Sequence, residues 1–454
     1  MIPVPFLKGK KVVVMGLGKS GSATLCALLA SGAEATAWDD SEAARAAAQA
    51  AGLPLADPLA GDAAPLDALD LVVWSPGIAH TFPQPHPLAE AARAAGVPLV
   101  CDVDLLARAK PANRFAAITG TNGKSTTTTL LAHVLACSGL AVAAGGNLGT
   151  AALDLPDLDE AGIYVLELSS YQLELTHSLR PAAGVLLNIT PDHLGRHGGM
   201  DGYVAAKRRL FDLVAEDGAA VIGIDDAPTR AMAEALRQTG RHPVVLSVRQ
   251  PLERGVSAPD GVLCADGRAV MDLTAVATLP GRHNWQNACA VFALARALGV
   301  AETAIAAGIA SYPGLAHRQE LVRERGGVRY VNDSKATNAD AAEVALVCYD
   351  RIHWIIGGQA KEGGIASLDP LFGRIAHAYL IGDAAPAFAA ALAGKVAVSQ
   401  CGTLDAAVSA AAAAARPGEV VLLSPACASW DQFRSFEHRG DEFRRLVEAL
   451  AGER

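Results

Sequence analysis

The sequence predicts an α/β protein of three domains, a Rossmann-like N-terminal domain, a P-loop-type central domain and a Rossmann-like C-terminal domain. Three observations carry that expectation. Short apolar runs alternate with alanine-rich helical stretches along the whole chain, the pattern of parallel sheets covered by helices. Glycine-rich turns lie directly behind two of those runs, at Gly16-Leu17-Gly18-Lys19-Ser20-Gly21 and at Thr119-Gly120-Thr121-Asn122-Gly123-Lys124-Ser125-Thr126. The length, 454 residues, exceeds one core when a domain takes about 150 residues.

The first domain is expected over residues 1–110. It opens with the strand Lys11-Val12-Val13-Val14-Met15, the first glycine turn and a helix from Ala23 to Ser31. A second strand, Glu34 to Trp38, ends at Asp39-Asp40, and Leu71-Val72-Val73-Trp74 leads into the turn Ser75-Pro76-Gly77-Ile78. G-x-G-x-x-G with an acidic residue near its usual distance is the dinucleotide fingerprint, and it makes a dehydrogenase the rival reading. No hydride-transfer site accompanies it, however. A lone fingerprint of this kind certifies only that a diphosphate or dinucleotide could lie on that helix N-terminus, and a sugar nucleotide fits equally well.

The second domain, 111–315, follows the polar segment Arg108-Ala109-Lys110, read as a linker. Phe115-Ala116-Ala117-Ile118 is a short buried strand and Thr126 to Ala136 the helix after it, so the loop between them turns backbone N–H groups and a helix N-terminus onto phosphate. Lys124 suits terminal phosphate oxygens and Ser125 a Mg2+ ion, which together point to ATP. The general P-loop pattern places a glycine where Ile118 stands, so this loop is a shortened variant. Strands Ile163 to Glu167 and Gly184 to Asn188 also end in polar residues. Ligands of open parallel sheets sit outside the carboxyl ends of strands, so Lys124, Glu167 and the Asn188 to His193 turn are expected in one crevice.

The third domain, 316–454, repeats the pattern. Its strands are Val328 to Asn332, Ile352 to Ile356, Ala378 to Ile381 and Glu419 to Leu423, and the polar clusters Asp333-Ser334-Lys335, Gly357 to Lys361 and Ser424 to Ser429 follow three of them. Each falls where a doubly wound sheet presents a binding edge.

Composition narrows the function classes. A net charge of −9 without a basic run excludes a general nucleic-acid surface. No apolar run is long enough to span a bilayer, and Met1 to Phe6 is short and proline-broken rather than a signal segment. The expectation is a cytoplasmic bacterial protein, a monomer, acting on small molecules. Eight scattered cysteines without C-x-x-C spacing read as reduced, mostly buried thiols.

Gly120-Thr121-Asn122-Gly123-Lys124-Ser125, Glu167-Leu168-Ser169-Ser170-Tyr171-Gln172-Leu173-Glu174, Asn188-Ile189-Thr190-Pro191-Asp192-His193 and Gly281-Arg282-His283-Asn284 resemble, in order and spacing, the Mur ligase family. Asp333-Ser334-Lys335-Ala336-Thr337-Asn338 and Ser424-Pro425-Ala426-Cys427-Ala428-Ser429-Trp430-Asp431-Gln432-Phe433 are similar to the branch of that family that adds D-glutamate in peptidoglycan synthesis. The resemblance covers essentially the whole chain. It implies that the carboxylate of UDP-N-acetylmuramoyl-L-alanine takes the γ-phosphoryl group of ATP and that the amine of D-glutamate then displaces phosphate. A related Mur or folylpolyglutamate-type ligase for another amino acid is the alternative.

The same resemblance assigns residues. For ATP it implies Gly120, Thr121, Asn122, Gly123, Lys124, Ser125 and Thr126, with Asn284 and Asn287 near adenine and Arg318, Asp333 and Lys335 from the third domain. For one or two Mg2+ ions it implies Ser125, Glu167, His193 and Lys207, the last as a carbamate formed with CO2. The catalytic group is then Lys124, His193, Lys207 and Arg318. Gly18, Lys19, Ser20, Gly21 and Asp39 are implied for the uracil and diphosphate end of the UDP-sugar, with Ser75, Gly77, Asn147 and His193 along its length. Thr337, Lys361, Ser429 and Phe436 are implied for D-glutamate. One departure stands out: Asp192-His193-Leu194-Gly195-Arg196 has glycine where the family usually has a second aspartate.

Overall fold

The computed structural model describes residues 1–60, 64–361 and 363–450, and it is α/β throughout. Three large sheets follow one another along the chain. The first orders Glu34–Trp38, Lys11–Met15, Leu71–Trp74 and Leu99–Val100, all parallel. Val12, Val13 and Val14 are buried at its centre, where β-branched side chains suit a strand packed on both faces. The following helix is Lys19–Ala30, so it starts earlier than its apolar periodicity predicts.

The central sheet has nine strands. Its parallel part runs Val142–Gly146, Ile163–Glu167, Arg114–Thr119, Ala183–Leu186, Ala219–Gly223, Val244–Ser247 and Val256–Ser257, and Val262–Ala265 and Arg268–Asp272 extend it antiparallel. Arg114–Thr119 and Ile163–Glu167 are neighbouring interior strands with almost every residue buried, so their polar C-terminal ends are the exits from an apolar layer. Register brings those exits level. Glu167 pairs with Ile118 and Gly146, and Thr119 with Leu186.

The third sheet orders Glu320–Arg325, Val328–Asn332, Val420–Leu423, Ile352–Gly357, Ile375–Ile381 and Val398–Gly402, parallel except for its first pair. Gln359–Ala360 and Cys427–Ala428 make a small antiparallel ribbon. The chain packs as two compact units, Met1–Leu273 with Asn284–Ser311, and Thr274–His283 with the chain from Tyr312 onward. The first unit holds the first two large sheets and the second holds the third.

Two expectations need correction. Arg108 and Ala109 are not linker but the last turn of the helix Asp102–Ala109, whose apolar face Leu105-Leu106 is buried while Arg108 lies over the ring of Phe6. The cysteines are all free thiols, yet only Cys101, Cys289 and Cys427 are buried; Cys26, Cys264, Cys348 and Cys401 are half-buried and Cys137 is exposed. Among the described residues no helix is long and apolar enough to cross a membrane.

Candidate active site

The loop after Arg114–Thr119 is built from two directions. Gly123 caps the helix Lys124–Cys137 with a left-handed backbone, φ 85°, which favours glycine, and a Cβ there would also collide with Asn287 Oδ1. The helix therefore begins at Lys124 rather than Thr126, and Lys124, Ser125 and Thr126 form its first turn. Thr121 donates its N–H to Asn188 O at 2.9 Å, and Asn122 donates its N–H to Asn188 Oδ1 at 2.9 Å. Thr190 N donates to Thr121 Oγ1 at 3.0 Å. The Asn188 to Thr190 turn thus frames the loop on its open side, although the strand before it already ends at Leu186.

Two lysines meet on one carbonyl. Lys124 Nζ donates to Gly120 O at 2.9 Å and Thr121 O at 2.7 Å, and Lys207 Nζ, from the helix Met200–Leu213, donates to the same Gly120 O at 2.9 Å. Lys207 is 1% exposed and lies 4.7 Å over the Tyr203 ring. Burial above all, and then the charge of Lys124, push its ammonium well below the usual lysine range, against the opposing pull of Asp192 and Glu167. Lys207 is therefore a buried amine whose charged form is disfavoured.

Glu167 is 2% exposed. Its Oε1 accepts from Asn147 Nδ2 at 2.8 Å, while its Oε2 is buried with no hydrogen-bond partner among the described residues. A buried carboxylate oxygen left without a donor calls for a cation. Glu167, with Ser125 on the adjoining helix turn, fits Mg2+ on that observation. His193 stands differently: its side chain is 53% exposed, 3.4 Å from Asp192 and with its ring 5.3 Å from that of Tyr171. It reaches solvent at the lip, with backbone φ 51°.

Asn284 and Asn287 lie buried in the helix Arg282–Ala297. Asn287 Oδ1 accepts from Thr127 Oγ1 at 3.1 Å and its Nδ2 donates to Asn284 Oδ1 at 3.2 Å, so this pair braces the loop helix from behind. In the first sheet, a Cβ on Gly21 would collide with Gly16 O, which is why the helix can approach the turn so closely. Ser75 Oγ donates to Gly16 O at 3.3 Å. Gly18, Lys19 and Gly77 are exposed and Ser20 is half-buried. Asp39 turns inward: its Oδ2 accepts from Leu17 N at 2.7 Å and its Oδ1 from Ser41 N at 2.8 Å. The acidic residue at this strand end holds the glycine turn itself.

In the third sheet, Arg318 sits between two left-handed residues, His317 at φ 61° and Gln319 at φ 45°. Its Nε is buried and has no partner among the described residues. Asp333 Oδ2 accepts from Ser424 Oγ at 2.8 Å and Oδ1 from Gln319 N at 3.2 Å. Burial pushes its carboxyl up to about 7, against the Ser424 bond and the Arg318 charge. Lys335 lies 5.6 Å from the Phe436 ring, whose backbone carbonyl accepts from Ser334 Oγ at 2.8 Å. Ser429 is buried, its carbonyl bonded by Phe433 N at 2.8 Å. Thr337 is half-buried two residues from Lys335, and Lys361 is exposed just beyond the small ribbon.

Sequence reasoning missed Arg439. It is 1% exposed and donates to Ser334 Oγ at 3.0 Å, Ser334 O at 2.8 Å and Cys427 O at 3.1 Å, tying the Ser334 turn to the Cys427 to Ser429 segment. Burial lowers its guanidinium to about 10. The signal was present: Phe436, Arg439, Gly440 and Phe443 make one helical stripe, and an arginine on a stripe otherwise apolar is an inward arginine. It also missed Tyr203, whose OH lies 3.1 Å from Thr121 Oγ1.

A phosphate-type loop with paired lysines, beside a carboxylate in need of a cation, is the kind of site that takes a nucleoside triphosphate. The chain belongs to the Mur ligase family: residues 118–295 match the Mur ligase middle domain and 317–427 the Mur ligase glutamate ligase domain. It is 66% identical to a UDP-N-acetylmuramoylalanine–D-glutamate ligase of Paramagnetospirillum magneticum, over 99% of each chain. A protein of the same name from Rhodospirillum rubrum is 58% identical over 99% of this chain and 97% of its own. In fold, a UDP-N-acetylmuramate-alanine ligase from Thermotoga maritima superposes with a TM-score of 0.58 at 17% identity, covering 97% of this chain and 100% of that one.

Proposed function

We propose that this protein joins D-glutamate to UDP-N-acetylmuramoyl-L-alanine with conversion of ATP to ADP and phosphate, a step of peptidoglycan synthesis. Relatives of that name at 58% and 66% identity support the substrate pair. At the site, the observation that carries the reading is Lys207 and Lys124 sharing the Gly120 carbonyl, close to the partnerless Glu167 oxygen.

The substrate carboxylate oxygen attacks the γ-phosphorus, ADP leaves, and the D-glutamate amine attacks the resulting acyl carbon to expel phosphate. Lys124, on the first turn of its helix, holds γ-phosphate oxygens as negative charge shifts toward ADP, and the loop N–H groups hold the rest of the chain of phosphates. Mg2+ would be held by Ser125, Glu167 and His193, and when bound it neutralises phosphate charge. Lys207 would add CO2 at its deprotonated amine, releasing one proton, and the carbamate would place an anion beside Lys124. Arg318, Asp333 and Lys335 serve ATP, with Asn284 and Asn287 fixing the loop behind it.

Gly18, Lys19, Ser20, Gly21, Asp39, Ser75, Gly77 and Asn147 serve the UDP-sugar, Asp39 by shaping the turn. Thr337, Lys361, Ser429 and Phe436 serve D-glutamate, braced by Arg439. The protein acts as a monomer in the cytoplasm, where ATP is supplied. Phosphate release is expected with both substrates present, and equal turnover with L-glutamate in place of D-glutamate would overturn the amino-acid assignment.

A further inference from the structure

The turn that carries His193 and the loop after the strand Leu71–Trp74 are joined by a side-chain cluster that none of the steps above uses. Glu174, the last residue of the helix Ser170–Glu174, accepts a hydrogen bond on each carboxylate oxygen, from His197 Nδ1 at 3.1 Å and from His80 Nε2 at 3.1 Å. The partner of the other ring nitrogen of His80 fixes its tautomer. Arg93 has only donors and lies 3.0 Å from His80 Nδ1, so that nitrogen accepts and the proton sits on Nε2, toward Glu174. His197 Nε2 is 2.9 Å from Ser170 Oγ. Although burial pushes the Glu174 carboxyl up, the bonds from His197 and His80 hold it down at about 2. The side chains are 19%, 6% and 0% exposed for Glu174, His80 and His197, a built site rather than a surface encounter.

The cluster reaches both loops. The Tyr171 ring stacks on His197 at 5.3 Å and 24°, and lies 5.3 Å from His193, with the Arg196 guanidinium 4.9 Å from its centre. Arg196 then donates to Ile78 O at 2.9 Å and Thr81 Oγ1 at 3.3 Å, and Phe82 packs on Gly198. Ser75 and Gly77 stand at the start of one loop and His193 at the start of the other.

We propose that Glu174 is a positioning residue for the UDP-linked substrate, its two histidine bonds setting the spacing between the Ser75 to Gly77 loop and the His193 turn. The proposal rests on the functional reading above, since one long substrate must span both loops. A carboxylate is required rather than a side chain of that size: glutamine would turn an NH2 group toward one of two N–H donors.

The test is Glu174→Gln, His80→Phe and the double variant in the full chain, with KM measured for each of the three substrates and thermal unfolding recorded alongside. KM for UDP-N-acetylmuramoyl-L-alanine is expected to rise about tenfold in each single variant while those for ATP and D-glutamate hold, with the double variant no worse than the poorer single one. Unchanged KM values, or three that move together with a lowered Tm, would overturn the proposal by leaving Glu174 a structural residue only. Should Glu174→Gln fail to fold, the same split in His80→Phe decides. A wild-type protein that ignores the UDP-linked substrate overturns the functional reading and the proposal together, whereas an active wild type with an indifferent Glu174→Gln overturns the proposal alone.

Discussion

Lys207 is held where a positive charge is disfavoured, buried and facing a second lysine across one carbonyl oxygen. Lys207→Ala is expected to lose activity by about 100-fold or more and to regain part of it with short carboxylic acids, which supply the anion that the carbamate would. Full activity in the unsupplemented variant would refute the carbamate. From sequence alone Lys207 reads as one more helical surface lysine, whereas it is buried with Tyr203, Ala206, Leu210 and Phe211 on one stripe. The lowered pKa of its amine is not legible, since it depends first on burial in the fold and then on Lys124, far away in sequence.

Asp333 makes a separate prediction. Its carboxyl sits at about 7 in the folded protein against an ordinary 3.8, so the folded state binds the extra proton between those values. The stability this supplies is complete below about pH 4 and is lost as pH rises through 7. Asp333→Asn should flatten that decline in a series of urea melts, and an unchanged slope would contradict it. Gly195 predicts the opposite kind of outcome. A Cβ there meets nothing within 4 Å, so Gly195→Asp should fold normally and change turnover little; a steep rise would show that the missing carboxylate matters.

At the scale of elements, the strands are legible because β-branched and apolar residues fill them, and helix interiors because alanine and leucine do. The helix starts are not. Periodicity places two helices at Ala23 and Thr126, whereas they begin at Lys19 and Lys124. In both, the first turn carries residues suited to ligand rather than to packing, so it shows no apolar signal. The glycines before these turns are where the fold depends on the element. Gly123→Ala forces a Cβ onto a left-handed backbone against Asn287 and is expected to cost roughly 2–5 kcal/mol. It should also weaken ATP binding, read by nucleotide titration, and a variant of native stability and affinity would contradict this account of the loop.

Over the whole molecule, α/β class and the positions of the binding edges are readable in the sequence, because parallel strands announce their C-terminal ends with polar residues. Packing between elements is not readable in the same way. The segment Thr274–His283 belongs with the second unit though it lies in sequence among residues of the first, and nothing in its composition marks the change. Likewise His80, Glu174 and His197 each look ordinary, and only the fold puts them together.

The central claim is that the protein carries out one ligation, in which phosphate leaves only after both substrates are engaged. Phosphate release from ATP by the purified protein, with Mg2+ and UDP-N-acetylmuramoyl-L-alanine, tests it most directly. Release should appear with D-glutamate and be absent with L-glutamate, D-alanine or no amino acid; release independent of the UDP-linked substrate, or equal with L-glutamate, would contradict it.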